Sequence, residues 1–118
     1  MSLINDITTA QFESEVLGSA VPVLVDFHAK WCGPCKASAP ALEDAAREFE
    51  GEVRIVKVDI DEEPALAETY NVRGVPTFIV VQDGEVKERF SGLVTRGKLA
   101  SVLERFAGDD QSSAGAAK

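Results

Sequence analysis

The sequence predicts an α/β fold, a mixed β-sheet with helices on both faces. Three observations lead there. Short apolar runs alternate with segments of helical periodicity in the order β-α-β-α-β-α-β-β-α. The last two strands are joined by Asp83-Gly84, a tight-hairpin signal, whereas the earlier connections each contain a helix. The chain has 118 residues, enough for one core and too few for two. Crossovers through helices build parallel pairs and a hairpin builds an antiparallel one, so the sheet must be mixed.

Leu3-Ile4 reads as a short edge strand. Thr8 and Gln11 form a capping box ahead of Phe12, Val16 and Leu17, which repeat at helical spacing until Gly18. Residues 22–28 are a mostly apolar run, as expected of a strand buried on both faces. A helix follows from about Pro34 to Phe49. Proline suits its first turn, because the N–H it lacks would have no partner there. Pro40 is expected to kink this helix. Val53–Val58 is the next strand, and Pro64 opens a short helix through Tyr70. Thr77–Val81 and Val86–Phe90 flank the hairpin. Leu93–Phe106 holds the last helix, capped by Thr95 and ended by Gly108.

From Gly108 onward no aromatic or branched aliphatic residue occurs. Such a segment cannot offset its ordering entropy by burial. The expected organisation is therefore one domain over residues 1–107 and a disordered tail over 108–118. No internal repeat is visible.

Twenty acidic residues against twelve basic ones leave a formal charge of −8. That sign repels phosphate backbones and anionic lipid, so no nucleic-acid and no membrane partner is expected. The run Val21–Val25 is far short of the ~18 apolar residues a membrane span requires. The first twenty residues carry Asp6, Glu13 and Glu15 with no basic cluster, so no targeting segment is read and a cytoplasmic setting is expected. Two cysteines are too few for a secreted disulfide scaffold.

Both cysteines lie in Trp31-Cys32-Gly33-Pro34-Cys35-Lys36, at the junction of a buried strand and a helix. Free N–H groups at a helix start stabilise a thiolate. Cys32, outside the first turn, is where an incoming disulfide can reach, and Cys35 points inward. The Cys32 thiolate can then attack a substrate disulfide, and Cys35 can attack the mixed disulfide in turn. Lys30 and Lys36 flank the pair and favour the thiolate modestly. Two other readings stay open: a structural disulfide, and half of a zinc site with His28 as the other soft ligand. No metal is expected, since structural zinc needs four ligands.

With Val25-Asp26-Phe27, Lys57-Val58-Asp59, Arg73-Gly74-Val75-Pro76-Thr77, Asp83-Gly84 and Gly92 in order around this motif, the sequence resembles the thioredoxin family over roughly residues 3–107. The resemblance implies a thioredoxin fold, a central mixed sheet of about five strands flanked by four α-helices. It implies protein-disulfide reduction, with Cys32 as nucleophile and Cys35 as resolving thiol. No cofactor would be bound; electrons would come from NADPH or ferredoxin through a thioredoxin reductase. The expected partners are that reductase and disulfide-containing proteins, with the chain acting as a monomer. Gly33 and Pro34 between the cysteines resemble the reducing members, whereas oxidising relatives usually carry histidine there.

Asp26 is a carboxylate in an apolar strand, where burial raises its pKa toward neutrality and lets it accept the Cys35 proton. A merely structural ion pair is the alternative. Lys57 matches the family's neighbouring lysine and would tune Asp26, unless it is simply solvated. Pro76 alone reads as a strand-entry proline. The resemblance implies a cis Val75–Pro76 bond against the disulfide, blocking metal and leaving the Val75 backbone to pair with an extended substrate. Trp31, Ile60, Gly74, Val75, Gly92 and Leu93 map onto an apolar rim for substrates. Ordinary packing competes at Ile60 and Leu93, and backbone requirements compete at the two glycines.

His28 stands where the family usually has an aromatic, commonly Trp. The favoured reading is a flat side chain filling that space, so that His28→Trp changes the Cys32 pKa only slightly. The other is a histidine that titrates near neutrality and shifts the thiolate population. Ser38 and Ala39, smaller than the family's usual residues, are expected to loosen the packing of the redox helix. A thioredoxin-like oxidase or isomerase, and a non-catalytic interaction module using the same rim, are the competing functions.

Overall fold

Three strands run parallel, a fourth enters antiparallel beside the central one, and a hairpin adds the fifth at the edge. A computed structural model describes residues 2–116, with side chains from 2 to 107. The elements are β1 (Asn5–Asp6), α1 (Thr9–Phe12), β2 (Val23–His28), α2 (Gly33–Glu48), β3 (Arg54–Asp59), α3 (Pro64–Thr69), β4 (Thr77–Gln82), β5 (Glu85–Ser91) and α4 (Arg96–Ala116). The strand order is β1-β3-β2-β4-β5. β3 pairs in parallel with β1 and β2, while β4 is antiparallel to β2 and to β5. This is the five-stranded mixed sheet with flanking helices that the sequence predicts.

Alternation along the strands divides the core. Leu24, Ile55, Phe78 and Val80 face Leu42, Phe49, Leu99, Leu103 and Phe106 of the α2–α4 side. Val23, Val25, Phe27, Val58 and Ile79 face Phe12, Val16 and Leu66 on the other side. Central β2 is covered on both faces, and Val23, Leu24, Val25 and Phe27 are wholly buried. Asp26 and His28 share the α2 face with Leu24, because strand side chains repeat every second residue.

Several boundaries differ from the sequence reading. The edge strand is Asn5–Asp6, not Leu3-Ile4: Ile4 is drawn into the core, and Asn5 and Asp6 align with Val56 and Lys57. α1 is capped as expected by the Thr8–Gln11 box, but continues as a π-helical turn, Glu13–Leu17. There the Gly18 N–H reaches back to the Glu13 carbonyl at 2.8 Å. α2 runs as one element through Pro40. The last helix begins at Arg96 rather than Leu93, since the Thr95 side chain and carbonyl accept the Lys98 and Leu99 N–H groups. It extends beyond Gly108 to Ala116; glycine inside a helix is tolerated at ~1 kcal/mol. The expectation of a disordered tail falls on 108–118, whose side chains lie outside the described residues. The hairpin turn has φ 55° at Asp83 and 78° at Gly84, the type I′ geometry that matches strand twist.

Candidate active site

β2 ends at His28, and its carbonyl accepts the Ile60 N–H at 2.9 Å. Four residues later Cys32 forms the N-cap of α2, with extended backbone (φ −89°, ψ 112°) and its Sγ accepting the Cys35 N–H at 3.1 Å. Pro34 lies in the first turn, where the helix has no use for its missing N–H. Cys32 and Cys35 are joined by a disulfide, their Cα atoms 5.3 Å apart. Sulfur thus sits on the positive end of a sixteen-residue helix dipole, the electrostatic setting for a stabilised thiolate.

The structure corrects two expectations here. Cys32 is not the open member of the pair: it is 3% exposed and Cys35 is 8% exposed. Both pack against Ala29, Ile60 and Val75, which close over the disulfide. Lys30 does not lend its charge freely to the sulfurs, because its Nζ pairs with Glu62 at 2.9 Å and lies 4.0 Å from Asp59.

Asp26 is buried behind the pair, 3% exposed, and its Oδ1 has no hydrogen-bond partner. Strand register aligns Asp6 with Lys57, and Lys57 with Asp26. Asp26 and Lys57 of this row border a cavity of about 150 Å³ that also touches His28 and Cys35. A water in liquid occupies ~30 Å³, so the cavity has room for several between carboxyl and sulfur. Burial pushes the Asp26 pKa up from 3.8 to about 6; His28 and Lys57 oppose this, and Asp6 adds to it.

His28 is not a passive filler. Its Nε2 lies 2.6 Å from Asp6 Oδ1, and its side chain is 13% exposed against 57% for Asp6. An imidazole nitrogen at that distance makes a directed bond that a merely space-filling ring would not need. Among the described residues no cluster of three or more His, Cys, Asp or Glu side chains is placed to hold a metal ion.

The rim residues separate. Trp31 and Leu93 are 67% and 57% exposed, too open for ordinary core packing to explain Leu93. Ile60 is half-buried and touches both the disulfide and the core. The Val75–Pro76 bond is cis, and Val75 contacts the disulfide cluster. Gly92 has φ +90° and donates its N–H to the Pro76 carbonyl at 2.9 Å, a backbone requirement that glycine meets. Gly74 and Gly33 have no positive φ, and a Cβ on either would meet nothing within 4 Å.

Two site residues escaped the sequence reading and a third was misread. Asp6 anchors His28. Asp61 accepts the Trp31 indole N–H at 2.8 Å; the acidic run Asp59, Asp61, Glu62 and Glu63 was its only signal. Ser38 does not loosen α2 as expected. It is wholly buried, donates to the Pro34 carbonyl at 2.8 Å and accepts the Val94 N–H at 3.1 Å. A hydroxyl on the buried face of a helix was the clue.

A helix-capping redox disulfide beside a buried carboxyl, on a five-stranded mixed sheet, defines a thiol–disulfide exchange protein. The comparisons agree. The Thioredoxin family model matches residues 4–105. Thioredoxin 1 of Synechococcus elongatus is 41% identical over 105 residues, covering 89% of this chain and 98% of that protein. A thioredoxin of Synechocystis is 40% identical over 106 residues, 90% and 99% of the two chains. One from Pseudomonas aeruginosa is 42% identical over 101 residues, 86% and 94%. The chain belongs to the thioredoxin family. It is a protein-disulfide oxidoreductase acting through the Cys32–Cys35 couple. No helix among the described residues is long and apolar enough to cross a membrane.

Proposed function

We propose that the chain is a general dithiol reductant in which Cys32 attacks, Cys35 resolves and Asp26 takes the resolving proton. The observation that carries this reading is the unpartnered Asp26 oxygen beside a cavity shared with Cys35. A buried carboxyl with a pKa of about 6 is poised to exchange a proton near neutrality.

The steps balance as follows. The Cys32 thiolate attacks one sulfur of a substrate disulfide. The mixed disulfide forms, and the first substrate thiolate leaves with the bonding pair and takes a proton from water. The Cys35 thiol then loses its proton to the Asp26 carboxylate through cavity water, and the resulting thiolate attacks Cys32 Sγ. The Cys32–Cys35 bond forms, and the second substrate thiolate departs and is protonated. Two electrons have passed to the substrate. Asp26 returns its proton to solvent.

Lys57 and His28 tune Asp26, with Lys57 shared between Asp6 and Asp26 in the sheet row. Gly33 and Pro34 keep the turn between the cysteines short and uncharged. Trp31, Ile60, Gly74, Val75, Gly92 and Leu93, with Pro76 beside them, form a docking rim for extended segments. Exposed Trp31 and Leu93 support that role, as does a cleft of about 570 Å³ that borders Gly74, Val75, Pro76 and Gly92. A surface with few hydrogen bonding demands suits many substrates. A thioredoxin reductase fed by NADPH or ferredoxin would regenerate the dithiol. The working unit is a monomer over residues 1–107, Ala107 being the last described residue buried in the core. A cytoplasmic setting fits two cysteines that both serve the redox pair.

The test is the reduction potential of the couple, read by Trp31 fluorescence during equilibration against defined thiol buffers. A value between roughly −220 and −320 mV, or below, supports a reductant. A value above about −180 mV places the oxidase or isomerase ahead and overturns the proposal. Retention of biological function by Cys32→Ser would instead favour the non-catalytic module.

A further inference from the structure

Family resemblance leaves His28 as a departure, and the mechanism above uses it only as part of the Asp26 surroundings. We propose that His28, anchored by Asp6, is a positioning residue for the resolving step and acts through Asp26, an inference that rests on the proton-accepting role of Asp26.

Geometry carries it. Asp26 and His28 lie two residues apart on one face of β2, so their Cβ atoms are roughly 7 Å apart along the strand. Both line the cavity that reaches Cys35. The exposure rises from Asp26 to His28 to Asp6, which puts His28 between the buried carboxyl and water. Its ring is held rather than free, because Asp6 Oδ1 sits 2.6 Å from Nε2. That contact fixes the ring's orientation on the cavity wall.

The other charges around the cavity are accounted for. Lys57 lies between Asp6 and Asp26 in register. Asp59 aligns with His28, but its Oδ1 accepts the Asp61 and Glu62 N–H groups and its Oδ2 faces Lys30. Lys30 is paired with Glu62. Lys36 and Glu43 line the cavity from α2. On β4 the residue opposite Asp26 is Phe78, which has no charge. Of the influences that lower the Asp26 pKa, His28 is the largest, ahead of Lys57. The imidazole on the shared cavity wall therefore favours the carboxylate form of Asp26, the form that can accept the Cys35 proton.

The replacement His28→Trp keeps an N–H and an aromatic plane but removes the imidazole that faces Asp6 and the cavity. The experiment follows resolution of the Cys32 mixed disulfide with thionitrobenzoate by stopped-flow absorbance from pH 5 to 9. Wild type should show a midpoint near the Asp26 pKa of about 6. In His28→Trp the midpoint moves upward by about three- to tenfold in proton affinity. The rate is then about threefold lower at pH 6 and unchanged at pH 8. His28→Gln, also neutral and smaller, should give the same displacement, and serves if the tryptophan variant folds poorly. Carboxyl-carbon NMR of Asp26 in the oxidised protein should move in parallel. Equal slowing at pH 6 and pH 8 identifies a merely structural role and overturns the inference. So does an unmoved midpoint in both variants. Asp26→Asn separates the two readings: if it keeps the wild-type midpoint, the Asp26 role itself fails; if it abolishes the midpoint while the His28 variants leave it in place, only the His28 inference fails.

Discussion

Replacing Asp26 by Asn removes a charge while keeping its shape, and the structure says how stability must respond. The side chain is 3% exposed, so solvent screening is slight. Its pKa rises from an ordinary 3.8 to about 6 on folding, chiefly through desolvation. At about 1.4 kcal/mol per tenfold change in proton affinity, that rise corresponds to about 3 kcal/mol. A folded-state pKa above the unfolded value means that the native protein binds the extra proton between pH 4 and pH 6. Wild-type stability therefore falls as pH rises through that window, and the full loss stands above it. Asparagine cannot ionise, so Asp26→Asn lacks the fall. Any effect of the amide on the unpartnered oxygen is a constant offset. Urea denaturation of the oxidised protein at pH 4 and pH 8 measures the difference. The gain of Asp26→Asn over wild type should be about 2.5 kcal/mol larger at pH 8 than at pH 4, because the unfolded carboxyl is already partly ionised at pH 4, with unchanged m-values. Equal gains at the two pH values would refute the reasoning, since they would mean that Asp26 has no raised pKa in the native state.

Ser38→Ala leaves the buried Val94 N–H without its partner, and the stability should drop by about 1–3 kcal/mol in denaturant titrations; a loss under about 0.5 kcal/mol would mean that the α2–Val94 link is dispensable. Gly92→Ala places a Cβ at φ +90° and should destabilise by about 1–2 kcal/mol. Gly74→Ala, with open space and no positive φ, should stay within about 0.5 kcal/mol of wild type. Similar values for the two glycine variants would contradict the backbone assignment at Gly92.

Local chemistry is written locally, and that is what the sequence determined. The strand of residues 22–28 is apolar enough to identify the sheet centre, and Asp26 within it pointed to a carboxyl with a raised pKa, against a structural ion pair. Cys32 and Cys35 at the strand–helix junction pointed to a redox pair over a structural disulfide or half of a zinc site, and Asp83-Gly84 pointed to the hairpin. Even the face that Asp26 and His28 share follows from the two-residue strand period. What no local pattern encodes is which side chain arrives from another element. Asp6 meets His28 across β3 from 22 residues away. Asp61 meets Trp31 from 30 residues away, and Val94 meets Ser38 across 56. Parallel register passes through crossover helices whose length does not set it, so the row Asp6, Lys57 and Asp26 existed only once the sheet had assembled. The cover over Cys32 was decided in the same way. Helix position alone predicted an open sulfur, but Ile60 and Val75 come from two other connections and close over it. Periodicity assigns each residue a face; only the tertiary structure decides what that face meets.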